Sequence, residues 1–251
     1  MYHILARAHR PLLAAFTRRR LLVALDYDGT LAPVVAAPGR ARMRPRTERL
    51  LQRVARRYPV AVISGRASSD VRARLGAACV RAVIGNHGAE LVTDPGQTMA
   101  RVFAWREQLS LAVAGEPGIT IEDKRFSLAV HYRGCRSRGR ARAVIVAAAR
   151  RLPSARVVEG KEVVNLVPRD APDKGAALAW AVAQLGCDAA LYVGDDVTDE
   201  DAFRWDGGVP VLGVRVGAEP SSAARCFLRN QRAIDRLLRI LLVLRADIDD
   251  C

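Results

Sequence analysis

The feature that most constrains the fold is a series of short apolar runs that end abruptly in a polar residue or a glycine. The runs are Leu21–Leu25, Val60–Ile63, Ala82–Ile84, Ala190–Val193 and a further candidate, Val209–Val214. Unbroken apolarity is typical of strands buried on both faces, and therefore of a parallel sheet. Helical patterns accompany the strands at about 44–57, 68–75, 174–185, 199–204 and 229–245. This alternation predicts an open α/β domain with right-handed crossovers.

The middle of the chain, at about 98–168, follows a different pattern. A helix at Met99–Ala112 precedes two alternating stretches, and an Arg/Ala-rich helix at about 139–151 precedes two more. These four stretches are Ile119–Asp123, Ser127–Tyr132, Arg156–Glu159 and Val163–Val167. The order helix-strand-strand, repeated, predicts a small α+β unit inserted into the α/β domain. Turn formers at both borders suggest a core domain of 1–97 and 169–251 and an inserted domain of 98–168.

Composition excludes several classes of protein. The chain has 251 residues, half of them hydrophobic, which is enough for a full core. Its five cysteines are scattered and never form a C-x-x-C pair, so we exclude a disulfide scaffold and expect a cytoplasmic protein. Apolar runs are far shorter than the ~18–20 residues of a membrane span, and we expect no membrane association. The basic first twenty residues predict a short helix, with a transit peptide as the alternative.

The net charge of +14 indicates a protein that attracts phosphate groups. No basic block is interleaved with aromatic residues, and aromatic residues make up only 5% of the chain, which is poor for base stacking. We therefore expect no nucleic-acid partner. The only lysines are Lys124, Lys161 and Lys174, so these positions are candidates for sites that need a compact ammonium group.

The strongest chemical signal is Asp26-Tyr27-Asp28-Gly29-Thr30-Leu31, which directly follows the first predicted strand. Residues i and i+2 of an extended segment point the same way, so Asp26 and Asp28 can meet at the carboxyl end of the sheet. Paired carboxylates there suit a nucleophile and a proton donor, or a site for a hard metal ion. A surface turn explains one aspartate but not the whole motif.

Three further segments carry polar groups at corresponding places. Ser64 and Gly65 follow the second strand and offer a hydroxyl and backbone N–H groups to a phosphate. The acidic run at 194–201 repels itself unless a cation lies among its carboxylates, and oxygen ligands favour Mg²⁺ over Zn²⁺. Lys174 opens a helix where it could neutralise a carboxylate and a phosphate together. Taken singly, each segment also has an ordinary structural interpretation. Ser64-Gly65 is also typical of a turn, the acidic run of a helix N-terminus, and Lys174 of an exposed lysine.

These four motifs resemble the haloacid dehalogenase (HAD) superfamily of phosphatases in their order along the chain, which is Asp26–Leu31, Ser64-Gly65, Lys174 and the acidic run at 194–201. The insertion resembles a type C2 cap. Finer signatures are similar to the trehalose-6-phosphate phosphatase family over nearly the whole sequence. They are Asp26–Pro33, Gly85–Glu90, Glu122–Lys124, Ser127–Arg133, Gly160-Lys161 and Gly194–Phe203. The resemblance implies a HAD-type Rossmann-like α/β core with a parallel sheet, plus a small α+β cap.

The resemblance also implies a mechanism. Asp26 is the expected nucleophile that forms an aspartyl-phosphate, and Asp28 the expected acid and base. Mg²⁺ is expected at the Asp26 carboxylate, the Asp28 backbone carbonyl and Asp195, with Asp199 in support and Asp196 as a further candidate. The groups expected to bind the transferring phosphoryl oxygens or to hold their loop are Ser64, Gly65, Lys174 and Thr30. His87 is expected to pack structurally.

In the cap, the sugar-reading positions of the family correspond to Glu122, Lys124, Arg133 and Lys161. The family usually has a glutamate in the cap strand where this chain has Asn165. Asparagine still forms hydrogen bonds with sugar hydroxyls but carries no charge. This departure leaves the phosphatase motifs intact and bears only on the specificity for the sugar.

Several functions therefore remain as alternatives. The leading hypothesis is an Mg²⁺-dependent trehalose-6-phosphate phosphatase, a monomer whose functional partner could be a trehalose-6-phosphate synthase. A phosphatase for another glycosyl phosphate, such as a sucrose or glycosylglycerate phosphate, is the related alternative. A catalytically silent binding module is an alternative of another class, but it predicts damage to the core motifs, and Asp26, Asp28, Lys174 and Asp195 are all present.

Overall fold

A computed structural model of the chain describes residues 1–35, 38–76, 78–160 and 162–249. Two compact units result, one formed by Met1–Gly88 and Asp173–Cys251 and the other by Ala89–Pro172. In chain order, the strands of the described residues are β1 (Tyr2–His3), β2 (Leu21–Leu25), β3 (Val60–Ile63), β4 (Ala82–Ile84), β5 (Thr120–Asp123), β6 (Leu128–His131), β7 (Ala155–Gly160), β8 (Val163–Pro168), β9 (Ala189–Gly194), β10 (Val211–Val216) and β11 (Cys226–Leu228). The α-helices are α1 (Arg10–Thr17), α2 (Pro45–Arg57), α3 (Ser68–Leu75), α4 (Pro95–Val113), α5 (Arg138–Ala149), α6 (Lys174–Gln184), α7 (Glu200–Arg204) and α8 (Ile234–Asp249).

The first unit is built on a seven-stranded sheet in the order β1-β11-β10-β9-β2-β3-β4. All of its strand pairs are parallel, as predicted from the unbroken apolar runs. Every residue of β2, β3 and β9 is buried, as expected of a parallel sheet that is covered on both faces. The order places β2 in the interior of the sheet, between β9 and β3, so that the ends of these three strands lie side by side.

The edge of this sheet differs from the sequence prediction. The two-residue strand β1 pairs with β11, and β11 pairs with β10, although neither short strand was predicted. Both are too short to produce an apolar run, and Tyr2 and His3 are polar enough to suggest a loop. The predicted short N-terminal helix is present as α1. None of the described helices combines the length and apolarity that crossing a membrane needs.

The second unit is a four-stranded antiparallel sheet, in the order β5-β6-β8-β7, with two helices. The predicted order helix-strand-strand, twice, is confirmed. Apolar side chains of α4 and α5 pack with one face of the sheet around Trp105, Leu128, Val130 and Ile145. The Trp105 indole donates a hydrogen bond to the carbonyl of Pro153 at 3.1 Å, which satisfies its only polar atom in this core.

Candidate active site

The Asp26–Leu31 segment leaves the central strand β2 as a tight loop. The Asp26 N–H still donates to the Val193 carbonyl at 2.9 Å, so this aspartate continues the strand pairing with β9. The next residues then turn, with the Ala32 N–H donating to Tyr27 and the Gly29 N–H donating to Ala32. Tyr27 is fully buried, as expected of a residue that alternates with two aspartates on the opposite side.

Gly29 brings this loop against the acidic segment that follows β9. Its φ is +77°, and a Cβ atom there would lie 2.0 Å from a carboxylate oxygen of Asp195. Only glycine combines this backbone angle with such a close approach. The Thr30 hydroxyl lies 3.5 Å from the other Asp195 oxygen, at the limit of a hydrogen bond. The D-x-D-G-T loop and the acidic run, 165 residues apart in sequence, are therefore packed together.

Lys174 joins two carboxylates in a buried ion-pair cluster. Its Nζ lies 3.1 Å from Asp26 Oδ1 and 2.6 Å from Asp199 Oδ1, and the lysine side chain is only 2% exposed. Burial by itself lowers the pKa of Lys174, but the charges of Asp199 and Asp26 raise it above its ordinary value. The lysine therefore stays charged, as a buried cation with two partners.

The Asp199 carboxylate is held by four donors. Its Oδ1 accepts from Lys174 and from the Tyr192 hydroxyl at 2.7 Å. Its Oδ2 accepts from the backbone N–H groups of Asp195 and Asp196 at 2.9 and 2.8 Å. Asp199 is thus fixed in position and orders both the lysine and the backbone of the acidic turn. Asp196 is exposed and accepts from the Val197 N–H, so it caps the turn.

Electrostatics favour a cation at this place. Burial raises the pKa of Asp26 well above its usual range, and the charges of Asp199, Asp195 and Asp28 add to this against the opposite effect of Lys174. Burial and the Asp199 charge likewise raise the pKa of Asp195, to about 7. Ligand oxygens of Asp26, Asp195 and Asp199 all lie within 4.8 Å of one another. This donor set of hard oxygens fits Mg²⁺, whose charge would relieve the crowding of carboxylates.

Ser64 and Gly65 form the loop after the neighbouring strand β3. Ser64 is buried. Its N–H donates to the carbonyl of Ile84 at the end of β4, and its carbonyl accepts from the N–H of His87 in the loop after β4. The His87 ring packs directly on Gly65, because a Cβ atom at Gly65 would lie 2.4 Å from His87 Cε1. The His87 backbone is left-handed, with φ at 58°. His87 therefore fills the space over the loop that the sequence assigned to phosphate binding.

Arg66, which follows this loop, clamps the second aspartate of the motif. Its Nε and Nη2 donate to the two Asp28 oxygens at 2.5 and 2.8 Å, a bidentate pair. Its Nη1 donates to Asp70 at 2.8 Å, and Asp70 accepts in turn from Arg74. Arg74 also donates to the Ala41 carbonyl at 2.6 Å. The Asp28 side chain is thus oriented by a chain of side chains along α3.

Two of the candidate sugar-binding residues, Glu122 and Asn165, occupy one face of the sheet of the second unit. Glu122 pairs with Ala129, and Ala129 pairs with Asn165, so the three lie in one row across β5, β6 and β8. This face is opposite to the one on which α4 and α5 pack. Glu122 is 53% exposed and bonds to His131 Nε2 at 2.9 Å. Asn165 is buried and donates to the Val158 carbonyl at 3.3 Å.

Two other candidates lie in loops of this unit, and a third lies outside the described residues. The Lys124 N–H donates to the Ser127 carbonyl in the turn between β5 and β6. Arg133, just after β6, pairs with Glu162, which also pairs with Arg138. Lys161 lies outside the residues that the structure describes.

Sequence reasoning missed two side chains of the first unit that contact the motif aspartates. Tyr192 lies within an apolar strand, and nothing in its neighbours indicates that its hydroxyl meets Asp199. Arg66 follows the Ser64-Gly65 pair, and its bidentate contact with Asp28 depends on the pairing of β2 with β3, which no local pattern indicates. A polar residue inside a buried strand is the signal that could have found Tyr192, because a buried hydroxyl needs a partner.

The chain is similar in sequence to known proteins over most of its length. The family model described as Trehalose-phosphatase matches residues 24–224. The trehalose-phosphate phosphatase of Mycobacterium avium is 38% identical over 213 residues, which are 79% of this chain and 54% of that protein. The chain therefore spans about half the length of the curated relatives it matches.

Solved structures with the same fold include two fungal proteins. The C-terminal domain of a Candida albicans trehalose-6-phosphate phosphatase superposes with a TM-score of 0.75 at 23% identity, over 94% of this chain and 96% of that one. A trehalose-6-phosphate phosphatase from Aspergillus fumigatus gives a TM-score of 0.65 at 25% identity, over 98% and 100%. The α/β fold with a parallel sheet and a separate small antiparallel sheet is shared with these proteins.

Proposed function

The chain belongs to the trehalose-phosphatase family, and from this premise we propose that it hydrolyses trehalose 6-phosphate to trehalose and phosphate with the help of Mg²⁺. The observation that carries the proposal is the buried contact of Asp26 with Lys174 beside Asp195 and Asp199. Such a cluster keeps a carboxylate oxygen next to a fixed positive charge at the end of a central strand. That is what an in-line attack on a phosphate monoester needs.

In the proposed first step, an Asp26 oxygen attacks phosphorus and the bond from phosphorus to the sugar oxygen breaks. Asp28 gives its proton to the departing sugar oxygen. In the second step, Asp28 takes a proton from water, the water oxygen attacks phosphorus, and the Asp26 carboxylate is released with inorganic phosphate. Arg66 orients Asp28 for both proton transfers through its two hydrogen bonds.

Lys174 and the Ser64–Gly65 loop are proposed to stabilise the charge on the phosphoryl oxygens. Lys174 supplies a positive charge that Asp199 holds in place, and the Ser64 hydroxyl and the loop N–H groups supply hydrogen bonds. Asp26, Asp195 and the Asp28 backbone carbonyl would hold Mg²⁺, with Asp199 as their support. When bound, the ion supplies positive charge that draws phosphate and nucleophile together.

The second unit, 98–168 with its flanking residues, is proposed to be the cap that recognises the sugar. Glu122, Lys124, Arg133, Lys161 and Asn165 would contact hydroxyl groups of the distal glucose. Asn165 favours a second candidate, a phosphatase for another glycosyl phosphate, because its amide is turned to the Val158 carbonyl and carries no charge. We further propose a cytoplasmic monomer that consumes the product of a trehalose-6-phosphate synthase.

The test is phosphate release with Mg²⁺ from trehalose 6-phosphate, sucrose 6-phosphate, glucose 6-phosphate and an aryl phosphate, with Asp26→Asn as control. We expect the highest kcat/KM with trehalose 6-phosphate, and its loss in Asp26→Asn. Preference for another sugar phosphate would support the proposed phosphatase mechanism but contradict trehalose 6-phosphate as the substrate. No release from any of the four by the folded protein would contradict the proposed function.

A further inference from the structure

A second buried ion pair of the first unit, Arg215 with Glu200, takes no part in the proposed mechanism. Arg215 Nη1 donates to Glu200 Oε1 at 3.1 Å, and the two side chains are only 13% and 10% exposed. The other Glu200 oxygen accepts from the Ala223 N–H at 2.8 Å. Arg204 also lies near Glu200, but it is 60% exposed and 3.6 Å away. Arg215 is therefore the buried cation that a buried carboxylate needs as its partner.

The same arginine also bonds to the acidic turn that follows β9. Arg215 Nη1 donates to the Asp196 carbonyl at 3.0 Å. This contact follows from the sheet, because Arg215 on β10 pairs with Gly194, the last residue of β9. The turn is thus held from two sides. The Asp199 carboxylate accepts from two of its N–H groups, and the Arg215 guanidinium donates to one of its carbonyls.

Charge alone does not explain an arginine at this place. The turn carries Asp195, a proposed ligand of Mg²⁺, whose ligand oxygen lies within 4.8 Å of those of Asp26 and Asp199. A guanidinium repels a second cation nearby, so its charge by itself would weaken the binding of Mg²⁺. Glu200 offsets that charge, because the arginine and the glutamate form a neutral pair. The pair therefore holds the turn without adding net charge beside the carboxylates.

We propose that Arg215 and Glu200 are positioning residues for metal binding: they hold the acidic turn so that the Asp195 carboxylate faces the other carboxylates of the candidate metal site. The inference rests on the proposed function, in which these carboxylates bind Mg²⁺. Because Mg²⁺ demands a nearly ideal arrangement of its oxygen ligands, a turn that shifts by a fraction of an ångström binds the ion less tightly. Arg215 acts on the turn directly, and Glu200 acts by orienting the guanidinium.

The test is calorimetric titration of Mg²⁺ against the full chain with both members of the pair replaced. Arg215→Met combined with Glu200→Gln keeps the net charge and leaves no buried charge without a partner, so a change in affinity reports geometry. We expect the dissociation constant for Mg²⁺ to rise about tenfold. An unchanged dissociation constant would overturn the inference and leave the proposed function intact. A wild-type chain that binds no Mg²⁺ would contradict the metal dependence of the proposed function, and the inference with it.

A matched control separates this pair from buried ion pairs in general. Arg44→Met combined with Asp235→Asn removes another ion pair of the first unit, which lies at 3.2 Å and joins the start of α2 to α8. This variant should bind Mg²⁺ as tightly as the wild type, and circular dichroism confirms that both double variants are folded. An equal loss of affinity in the control would overturn the inference, because it would then reflect a general loosening of the unit.

Amide hydrogen exchange of the metal-free chain tests the positioning directly. The N–H groups of Asp195 and Asp196 donate to the Asp199 carboxylate, so they exchange slowly as long as the turn keeps its shape. In the variant that lacks the Arg215–Glu200 pair, we expect both groups to exchange about tenfold faster, with no change in the central strand β2. Exchange of the turn at the wild-type rate would show that the pair does not hold it, and would overturn the inference.

Discussion

The two units of the chain hold their polar residues in different ways. In the first unit, Asp26, Lys174 and Asp199 are buried and bond to one another, so each side chain has one position. In the second unit, Glu122 is 53% exposed and Arg133 is 33% exposed, and their partners His131 and Glu162 are partly exposed. Buried pairs are costly to break, whereas exposed pairs exchange readily with a ligand. The comparison teaches that the buried polar groups of the first unit are held in one arrangement, whereas the polar groups of the second unit can rearrange at low cost.

The largest effect is expected from Lys174→Met, which breaks the buried cluster. Two carboxylates lose their cation, so we expect a destabilisation of about 3–5 kcal/mol and a loss of turnover of at least about 10³-fold. Urea unfolding and phosphate release measure the two effects. Lys174→Arg is the control for charge: the space between Asp26 and Asp199 fits an ammonium, so we expect arginine to fail as well. A stable, active Lys174→Met protein would contradict the idea that the buried ion pairs of the first unit are more costly to break than the exposed pairs of the second.

Next in size is the effect of adding one methyl group at Gly29. Gly29→Ala places a Cβ atom against Asp195 at a φ of +77°, so we expect about 10²-fold slower turnover and a stability cost of about 1–3 kcal/mol. The matched variant in the second unit is Gly139→Ala, on an exposed turn of α5 with no atom within 4 Å of the new Cβ. It should stabilise the protein by about 0.5 kcal/mol. Thermal unfolding of both variants shows whether the methyl group is tolerated in one unit only.

The third prediction concerns the carboxylates of the first unit and pH. The pKa of Asp195 is raised to about 7, so this group holds a proton more tightly in the folded chain than in the unfolded one. The metal-free protein should therefore lose stability as pH rises from about 4 to 7. Mg²⁺ competes with that proton, so its affinity should fall about tenfold per pH unit below pH 7.

Calorimetric titration of Mg²⁺ between pH 5.5 and 8 measures this dependence. Asp195→Asn should remove most of both the affinity and its pH dependence, while Glu122→Gln in the second unit should change neither. An Mg²⁺ affinity that stays constant between pH 5.5 and 8 would contradict the proposal that Asp195 is an Mg²⁺ ligand.

The smallest effect is expected in the second unit. Glu122→Gln should raise KM for trehalose 6-phosphate by about five- to tenfold, because one charge-assisted hydrogen bond to a sugar hydroxyl is lost. The KM and kcat for an aryl phosphate, which has no distal sugar, should stay the same. Steady-state kinetics with both substrates checks this. If both substrates are affected equally, the second unit takes part in the chemistry and the comparison fails.

Sequence reasoning was accurate where a single strand and its end carry the information. Strands β2, β3 and β4 have the predicted bounds, because each is an unbroken apolar run that stops at a polar residue. In the structure Lys174 contacts Asp26 and Asp199, although it begins helix α6 and does not follow a strand. The short strands β1 and β11 were missed because two or three residues carry no periodicity.

The sequence by itself determined the α/β class, the inserted α+β unit and the segments that carry charged groups, because apolar runs and turn formers are local properties. Only the tertiary structure decided which atoms meet. The clamp of Arg66 on Asp28, the hydroxyl of Tyr192 on Asp199 and the approach of Gly29 to Asp195 each join residues on different strands or loops. Such contacts depend on the sheet order and on packing to within an ångström, and no local pattern of residues encodes these.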